Sequence, residues 1–376
     1  VFALQKIRVR PSTIAVAALA ASTLLLPVFG QAVANQAAAN QAPAKRIIVV
    51  AADGSGQFKT VQEAVDSAPE GNIRIDIKPG EYFQTVAIHA NGVELRGLGK
   101  NPQDVVLLYD NSAGTMSPDG RPFGTGRSGT VTVTGDDFFA ENLTIANQFE
   151  WLHGRTNEGA QAVALHVTGD REIFRHIRLL GFQDTLYADS KFCHTPNPAS
   201  SAAAGAPTPA PDPAPCRAAR QYFSDCFIEG HVDFIFGDAK AVFDHCEIRV
   251  LAHSMDTITA QSRLRPSEDS GYLFLDCTVT AEPGTPDILL GRPWRDYSTV
   301  VFINTDFKAP LDAKGWLEWG GRLKTSDYAE YGSTGQAGDM SQRVAPSQQL
   351  TAAGLAKYTV AAWLSGPDHW NPESIH

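Results

Sequence analysis

The sequence predicts an all-β protein folded as a single-domain parallel β-helix, a solenoid of unequal coils with a short N-terminal helix and a loop-rich C-terminal segment. Three observations predict it. From Ile47 to Phe307 the chain is a series of short β-rich runs broken by Gly, Asp and Asn, with few patterns long enough for a helix. Within those runs a Phe is followed five residues later by another apolar residue, at Phe138/Leu143, Phe174/Leu179, Phe223/Ile228, Phe243/Ile248, Phe274/Val279 and Phe302/Phe307. The pairs recur at 20 to 49 residues, the spacing of stacked coils of unequal length. Third, Cys226, Cys246 and Cys277 each stand three residues after the Phe, and three cysteines in one phase of a stacked repeat should form an interior ladder. A composition of 43% hydrophobic and 19% charged residues supports a core, and 32 Gly with 23 Pro supply the turns.

Taken from the N-terminus, Lys6, Arg8 and Arg10 precede the apolar run TIAVAALAASTLLLPVFG and the small residues Ala32, Val33 and Ala34. That is the pattern of a secretory signal peptide over residues 1–34. The run is short for a bilayer span and Pro27 interrupts it, so a cleaved leader is expected rather than an anchor. The protein is therefore expected to be secreted or periplasmic, with no stable membrane association after cleavage. Residues 35–45 read as a low-complexity linker and 46–376 as the folded domain. TVQEAVDSAP, Thr60 to Pro69, is its main helical pattern. Cys193 and Cys216 bracket HTPNPASSAAAGAPTPAPDPAP, a Pro/Ala-rich insertion that no core can use. In an exported protein these two cysteines are expected to form a disulfide at the base of the loop, worth roughly 3 kcal/mol on chain-entropy grounds.

A formal net charge of -10 argues against a nucleic-acid partner, which needs a basic stripe. The cysteines and ten histidines show no CxxC, HExxH or other ligand spacing, so no metal is expected. There is no GxSxG elbow for a serine nucleophile. GTGRSG, Gly124 to Gly129, opens into TVTVTG rather than a helix and is not a dinucleotide site.

Four polar clusters interrupt the strand pattern: GAQAVALHV with Gln161, GFQDTLY with Gln183 and Asp184, GHVDFIFG with Asp233, and LGRPWRDYS with Arg292 and Trp294. Asp233 lies between Val232 and Phe234 in a run that otherwise reads as a buried strand, and a buried charge must be paired or used. Two carboxylates and one guanidinium let the environment divide the acids: one stays ionised beside the Arg as a nucleophile, the other keeps its proton as general acid. Two Gln amides are donors for an oxyanion, and an aromatic beside the Arg offers a sugar ring a face. The parts are those of an esterase without serine. Gln183 and Asp184 are neighbours, however, and successive strand side chains face opposite ways, so both reach one site only if the backbone bends. Gly181 permits such a bend.

At these residues the sequence resembles the pectinesterases (pectin methylesterases), from DGSGQFKTVQEAVDSAP near Asp53, through the four clusters, to GWLEWGGRLKTSDYAEY and the closing WNP. The resemblance implies a right-handed parallel β-helix that removes methyl esters from C6 of galacturonate units in pectin, without metal or cofactor, as a monomer. It implies Asp233 as nucleophile and Asp184 as the acid that protonates departing methanol and then activates water. Gln161 and Gln183 would hold the oxyanion, and Arg292 would orient Asp233. Trp294, Tyr187, Phe236 and Trp316 would line the sugar subsites. His231 stands where many plant members have Thr, and Phe182 where many have Tyr. The cysteine-bracketed insertion, and the lack of an inhibitor-like pro-domain before the coil, suggest the bacterial secreted type. Two other functions compete: a glycoside hydrolase using Asp184 and Asp233 as acid and base, which the Gln pair argues against, and a polysaccharide-binding protein without turnover.

Overall fold

The computed structural model describes residues 45–154, 159–193, 215–337 and 339–375. The leader and the linker as far as residue 44, and residues 194–214 of the insertion, lie outside the described residues. From Lys45 onward the chain is one compact unit.

Its strands form three parallel sheets of eleven, nine and seven strands among the described residues, called here sheets 1, 2 and 3. One coil shows the path. Arg220–Ser224 lies in sheet 1, Phe227–Gly230 in sheet 2 and Val232–Gly237 in sheet 3, and Lys240–Asp244 returns to sheet 1 one rung on. The result is the right-handed parallel β-helix that the sequence predicts, the hand that parallel crossovers take.

The repeat is a register. Phe174, Phe223, Phe243, Phe274 and Phe302 pair directly across sheet 1. Their rings stack at centroid distances of 4.6, 4.9, 4.5 and 4.3 Å, close to the separation of neighbouring strands, so each ring covers the next. Leu179, Ile228, Ile248, Val279 and Phe307 pair in the same way across sheet 2. The first pair of the series is different: Ala140 and Ile145, not Phe138 and Leu143, stand in these two ladders. A slide of two residues keeps the same side chains inward, and Phe138 and Leu143 are buried as well, so the sequence pattern does not distinguish the two registers.

The residue two after each ladder position turns the corner between sheets 1 and 2 in the left-handed conformation: Asn142, His176, Asp225, His245, Asp276 and Asn304, all with φ of 49 to 55°. Asn, Asp and His are the side chains that tolerate it best. The next residue points inward, which places Cys226, Cys246 and Cys277 in the expected buried ladder. Each thiol donates to a carbonyl of the coil before it, on Phe174, Phe223 and Phe243.

The N-terminal helix spans Val61–Asp66, closed by a capping box between Thr60 and Glu63, and buries Val61, Ala64 and Val65 over the first coils. The C-terminal segment is loop-rich. Its short helix Val360–Leu364 and Trp370 cover the outer face of sheet 1 at Tyr222, Val242, Leu273 and Val301. Cys193 and Cys216 are bridged, with Cα atoms 5.6 Å apart, and so close the base of the insertion. No helix among the described residues is long and apolar enough to cross a membrane.

Candidate active site

The polar clusters meet at the corner where sheet 2 passes into sheet 3. There the strand Val232–Gly237 is irregular: Val232 pairs with Thr257 but Ile235 with Thr259, three residues against two. The extra residue is a β-bulge, which re-aims a side chain. Asp233 sits in it with φ of 51°, and Asp184 repeats the conformation one coil earlier with φ of 66°. The two are rung neighbours, since Leu186 pairs with Ile235, Tyr187 with Phe236, and the Asp184 amide donates to the Val232 carbonyl at 3.2 Å. The bend that Gln183 and Asp184 require is therefore at Asp184 itself. Gly181 serves a different end: a Cβ there would stand 2.7 Å from the Thr185 hydroxyl, so the glycine admits that side chain.

The environments of the two acids differ. Asp233 is held by a two-pronged ion pair, with Arg292 Nε 3.0 Å from Oδ1 and Nη2 2.6 Å from Oδ2. Thr257 Oγ1 donates to the same Oδ1 at 2.7 Å and accepts from the Asp233 amide at 3.0 Å. Three donors on one carboxylate fix its orientation. Asp184 is buried, and desolvation first, then the charge of Asp233, push its carboxyl well above the usual range, with Arg292 opposing only in part. Arg292 has its guanidinium 4.2 Å above the Trp319 ring, which shields one of its faces.

Gln161 and Gln183 are half-buried on adjacent coils, where the Ala162 amide donates to the Gln183 carbonyl at 3.2 Å. Among the described residues neither side-chain amide is engaged in a hydrogen bond within the protein. Beyond the acids, sheet 3 carries an outward aromatic row: His166 stacks on Tyr187 at 4.3 Å and Tyr187 on Phe236 at 4.2 Å, with Trp294 edge-on to Phe236 at 5.9 Å. Tyr187 and Trp294 remain half-exposed.

Trp316 does not join them. It is 1% exposed, bridges Gly291 as an inward continuation of sheet 3 and stacks on Tyr328 at 4.0 Å, so it is core and cannot line a sugar subsite. Thr257 and Trp319 escape the sequence reading. Thr257 belongs to TITAQ, an ordinary strand run, and its role follows only from the bulge register; Trp319, three residues beyond Trp316 in GWLEWGG, was the available signal. Among the described residues, Asp244, His245 and Asp276 can bring ligand atoms together for a cation. They lie at the corner of sheets 1 and 2, and His245 is already hydrogen-bonded to Asp244 and Asp276 to Asn304.

Two acids in different environments, on a parallel β-helix that exposes an aromatic row, define a candidate carbohydrate-active site. The chain belongs to the pectinesterase family: a profile of that family matches residues 47–194 and 212–367. It is 36% identical over 341 residues to the probable pectinesterase/pectinesterase inhibitor 17 of Arabidopsis thaliana, covering 87% of this chain and 58% of that one. It is 36% identical over 315 residues to pectinesterase 31 of the same plant, covering 81% of this chain and 88% of that one. The chain thus spans less than two thirds of the first relative and most of the second. Its structure superposes on the pectin methylesterase from carrot with a TM-score of 0.71 at 28% identity, over 87% of this chain and 96% of that one. These relatives are plant proteins, so the bacterial character inferred from the bracketed insertion gains no support from them.

Proposed function

We propose that the chain hydrolyses the C6 methyl ester of galacturonate units in pectin, releasing methanol and leaving a free acid on the polymer. The observation that carries the reading is the division between the acids: Asp233 lies against Arg292, while Asp184, beside it, is buried and held toward its protonated form. Asp233 Oδ attacks the ester carbonyl. The negative charge that forms on the carbonyl oxygen is taken up by the side-chain amides of Gln161 and Gln183, a type of contact whose loss costs roughly 3 kcal/mol in a preorganised site. Collapse breaks the C–O bond to methoxide, which leaves as methanol with the Asp184 proton and leaves an acyl anhydride on Asp233. Asp184, now a carboxylate, takes a proton from water as its oxygen attacks the acyl carbon, and Asp233 is released. Arg292 and Thr257 keep the nucleophile aimed throughout. Tyr187, Phe236 and Trp294 are the sugar-binding surface.

The test is methanol release from highly methylated pectin, with reducing ends measured in parallel. Methanol without new reducing ends is expected. New reducing ends would favour glycosidic cleavage by the same two acids, and binding without either product would mean a polysaccharide-binding protein. Residues 1–34 are proposed to be removed on export and the mature chain to act as a monomer without metal. N-terminal sequencing and light scattering of the exported protein check both, and activity after exhaustive chelation checks the last.

A further inference from the structure

The helix Phe149–His153 has no part in the site as described, yet it is anchored to it. Asn147 Oδ1 accepts from the Phe149 amide at 3.0 Å, while its Nδ2 donates to the carbonyls of Asn111 and Val163 at 2.8 and 3.0 Å. Glu150 is turned inward, its side chain 3% exposed, onto His231 Nε2 at 3.1 Å. His231 Nδ1 accepts from the Val232 amide at 2.8 Å, which leaves Nε2 as the donor to Glu150. The helix is thereby tied to the backbone one residue before Asp233. On its other side it holds Trp151 51% exposed and Leu152 57% exposed. The two side chains put adjoining apolar surface into water on an element whose position is fixed.

The position of Trp151 repeats that of Trp294. Trp294 stands edge-on to Phe236, at 5.9 Å and 62°, three residues after Asp233. Trp151 stands edge-on to Phe182, at 4.7 Å and 69°, two residues before Asp184. Phe182 in turn contacts His231, and His231 stacks on His253 at 4.4 Å, so a second aromatic row runs before the two acids as the His166–Tyr187–Phe236 row runs after them. Of this second row Trp151 is the exposed member; Phe182 and His231 are buried and His253 is half-buried.

We infer that Trp151 is a second sugar-stacking residue, binding a galacturonate unit of the same polymer on the side of the acids away from Trp294. The inference rests on the pectin reading above. A galacto-configured pyranose has one face of C–H groups that lies against an aromatic plane, while its hydroxyls and carboxyl reach water, and a ring fixed in advance binds it with little ordering cost. A polymer held by Trp151 and Trp294 at once is drawn across Asp184 and Asp233, so Trp151 matters more as the substrate lengthens.

The experiment titrates methylated galacturonate hexamer and trimer into the full chain carrying Asp233→Ala, which binds without turnover, and into the same chain with Trp151→Ala or Trp151→Tyr added. Trp151→Ala is expected to raise the hexamer Kd about tenfold and the trimer Kd less, lowering the preference for length, with Trp151→Tyr recovering most of the loss. Near-ultraviolet circular dichroism verifies that both variants fold. A hexamer Kd unchanged by Trp151→Ala, or an equal loss for trimer and hexamer, overturns the inference. Absence of methanol release by the unsubstituted chain would remove the ester reading instead, and the titration would still decide whether Trp151 binds the sugar.

Discussion

The corner between sheets 1 and 2 and the corner between sheets 2 and 3 use one backbone device for different ends. At the first, a left-handed Asn, Asp or His turns six of the coils, from Asn142 to Asn304, and Asn142, bonded to the Gly97 and Gly99 carbonyls, and Asn304, bonded to Asp276, also join one coil to the next. At the second, Asp184 and Asp233, in adjacent coils, are the only non-glycine residues of positive φ among the described residues; other coils make this connection with glycines such as Gly124, Gly159 and Gly284. Aspartate is among the few residues that adopt this conformation at small cost. An Asp at the bulge can therefore turn the chain and offer its carboxylate out of the strand's alternation. A repeat that already uses Asp to turn one corner needs little alteration to place the proposed catalytic Asp at another.

The largest effect separates the corners outright. Asp233→Ala is expected to lower methanol release by at least about 10⁴-fold, as removal of a covalent nucleophile does, while pectin binding persists. Asp184→Asn keeps a residue suited to positive φ but has no proton to give, and should cost about 10² to 10⁴-fold, with the thermal midpoint close to that of the parent. If Asp184→Asn unfolds the chain instead, the acid is serving the backbone, and the contrast between the corners fails.

Thr257→Val tests whether the bulge or the ion pair aims the nucleophile. The substitution keeps the shape and removes the hydroxyl that bridges the Asp233 amide and carboxylate. A hydrogen bond to a charged group is worth about 1.5 to 3 kcal/mol, so kcat should fall by about one to two orders of magnitude with KM nearly constant. An unchanged kcat would mean that Arg292 alone suffices.

The Asp184 carboxyl sharpens the comparison through its titration. Its folded value is raised, by burial and then by the Asp233 charge, so methanol departure requires a pH at which Asp184 is still protonated, and acylation slows as pH rises through that raised value. In the Asp233→Ala chain one raising cause is gone and the Arg292 charge is unopposed, so the Asp184 pKa should fall. Carbon-13 NMR of labelled aspartate reads it; an unmoved value would show that the two carboxyls do not share a site.

These differences mirror what could be read from the chain. The first corner is periodic, so five of the six Phe pairs and all three interior cysteines could be placed from spacing alone. The slip at Phe138 arose because a two-residue slide conserves which face is buried. At the second corner Asp233 was legible because a charge inside an apolar run demands a reason, and Asp184 and Arg292 because they stand in polar clusters that interrupt the strand pattern. Thr257 was not, because a threonine in a strand needs none and only the bulge brings its hydroxyl to Asp233. Trp316 was misread because a Trp near the site motifs has the same letters whether it faces the groove or stacks on Tyr328. Trp151 lies in FEWLH, where the pattern shows an amphipathic turn but not that Glu150 is the buried side and Trp151 the open one.

The smallest effect isolates the turning function itself. Asp225 is exposed, has φ of 53° and makes no side-chain hydrogen bond among the described residues, so it does at the first corner only what the backbone asks. Asp225→Ala puts a Cβ in the left-handed region without a polar side chain to ease it and should cost about 1 to 2 kcal/mol. Asp225→Gly removes that clash but loosens the unfolded chain by about 0.5 to 1 kcal/mol, so it should lie between Ala and the parent. Methanol release should be the same in all three. Thermal unfolding gives the order, and an Ala variant as stable as the parent would mean that the corner does not depend on the residue that turns it. The six Asn, Asp and His would then need another explanation, and Asp184 and Asp233 would have to be read as acids placed for chemistry alone.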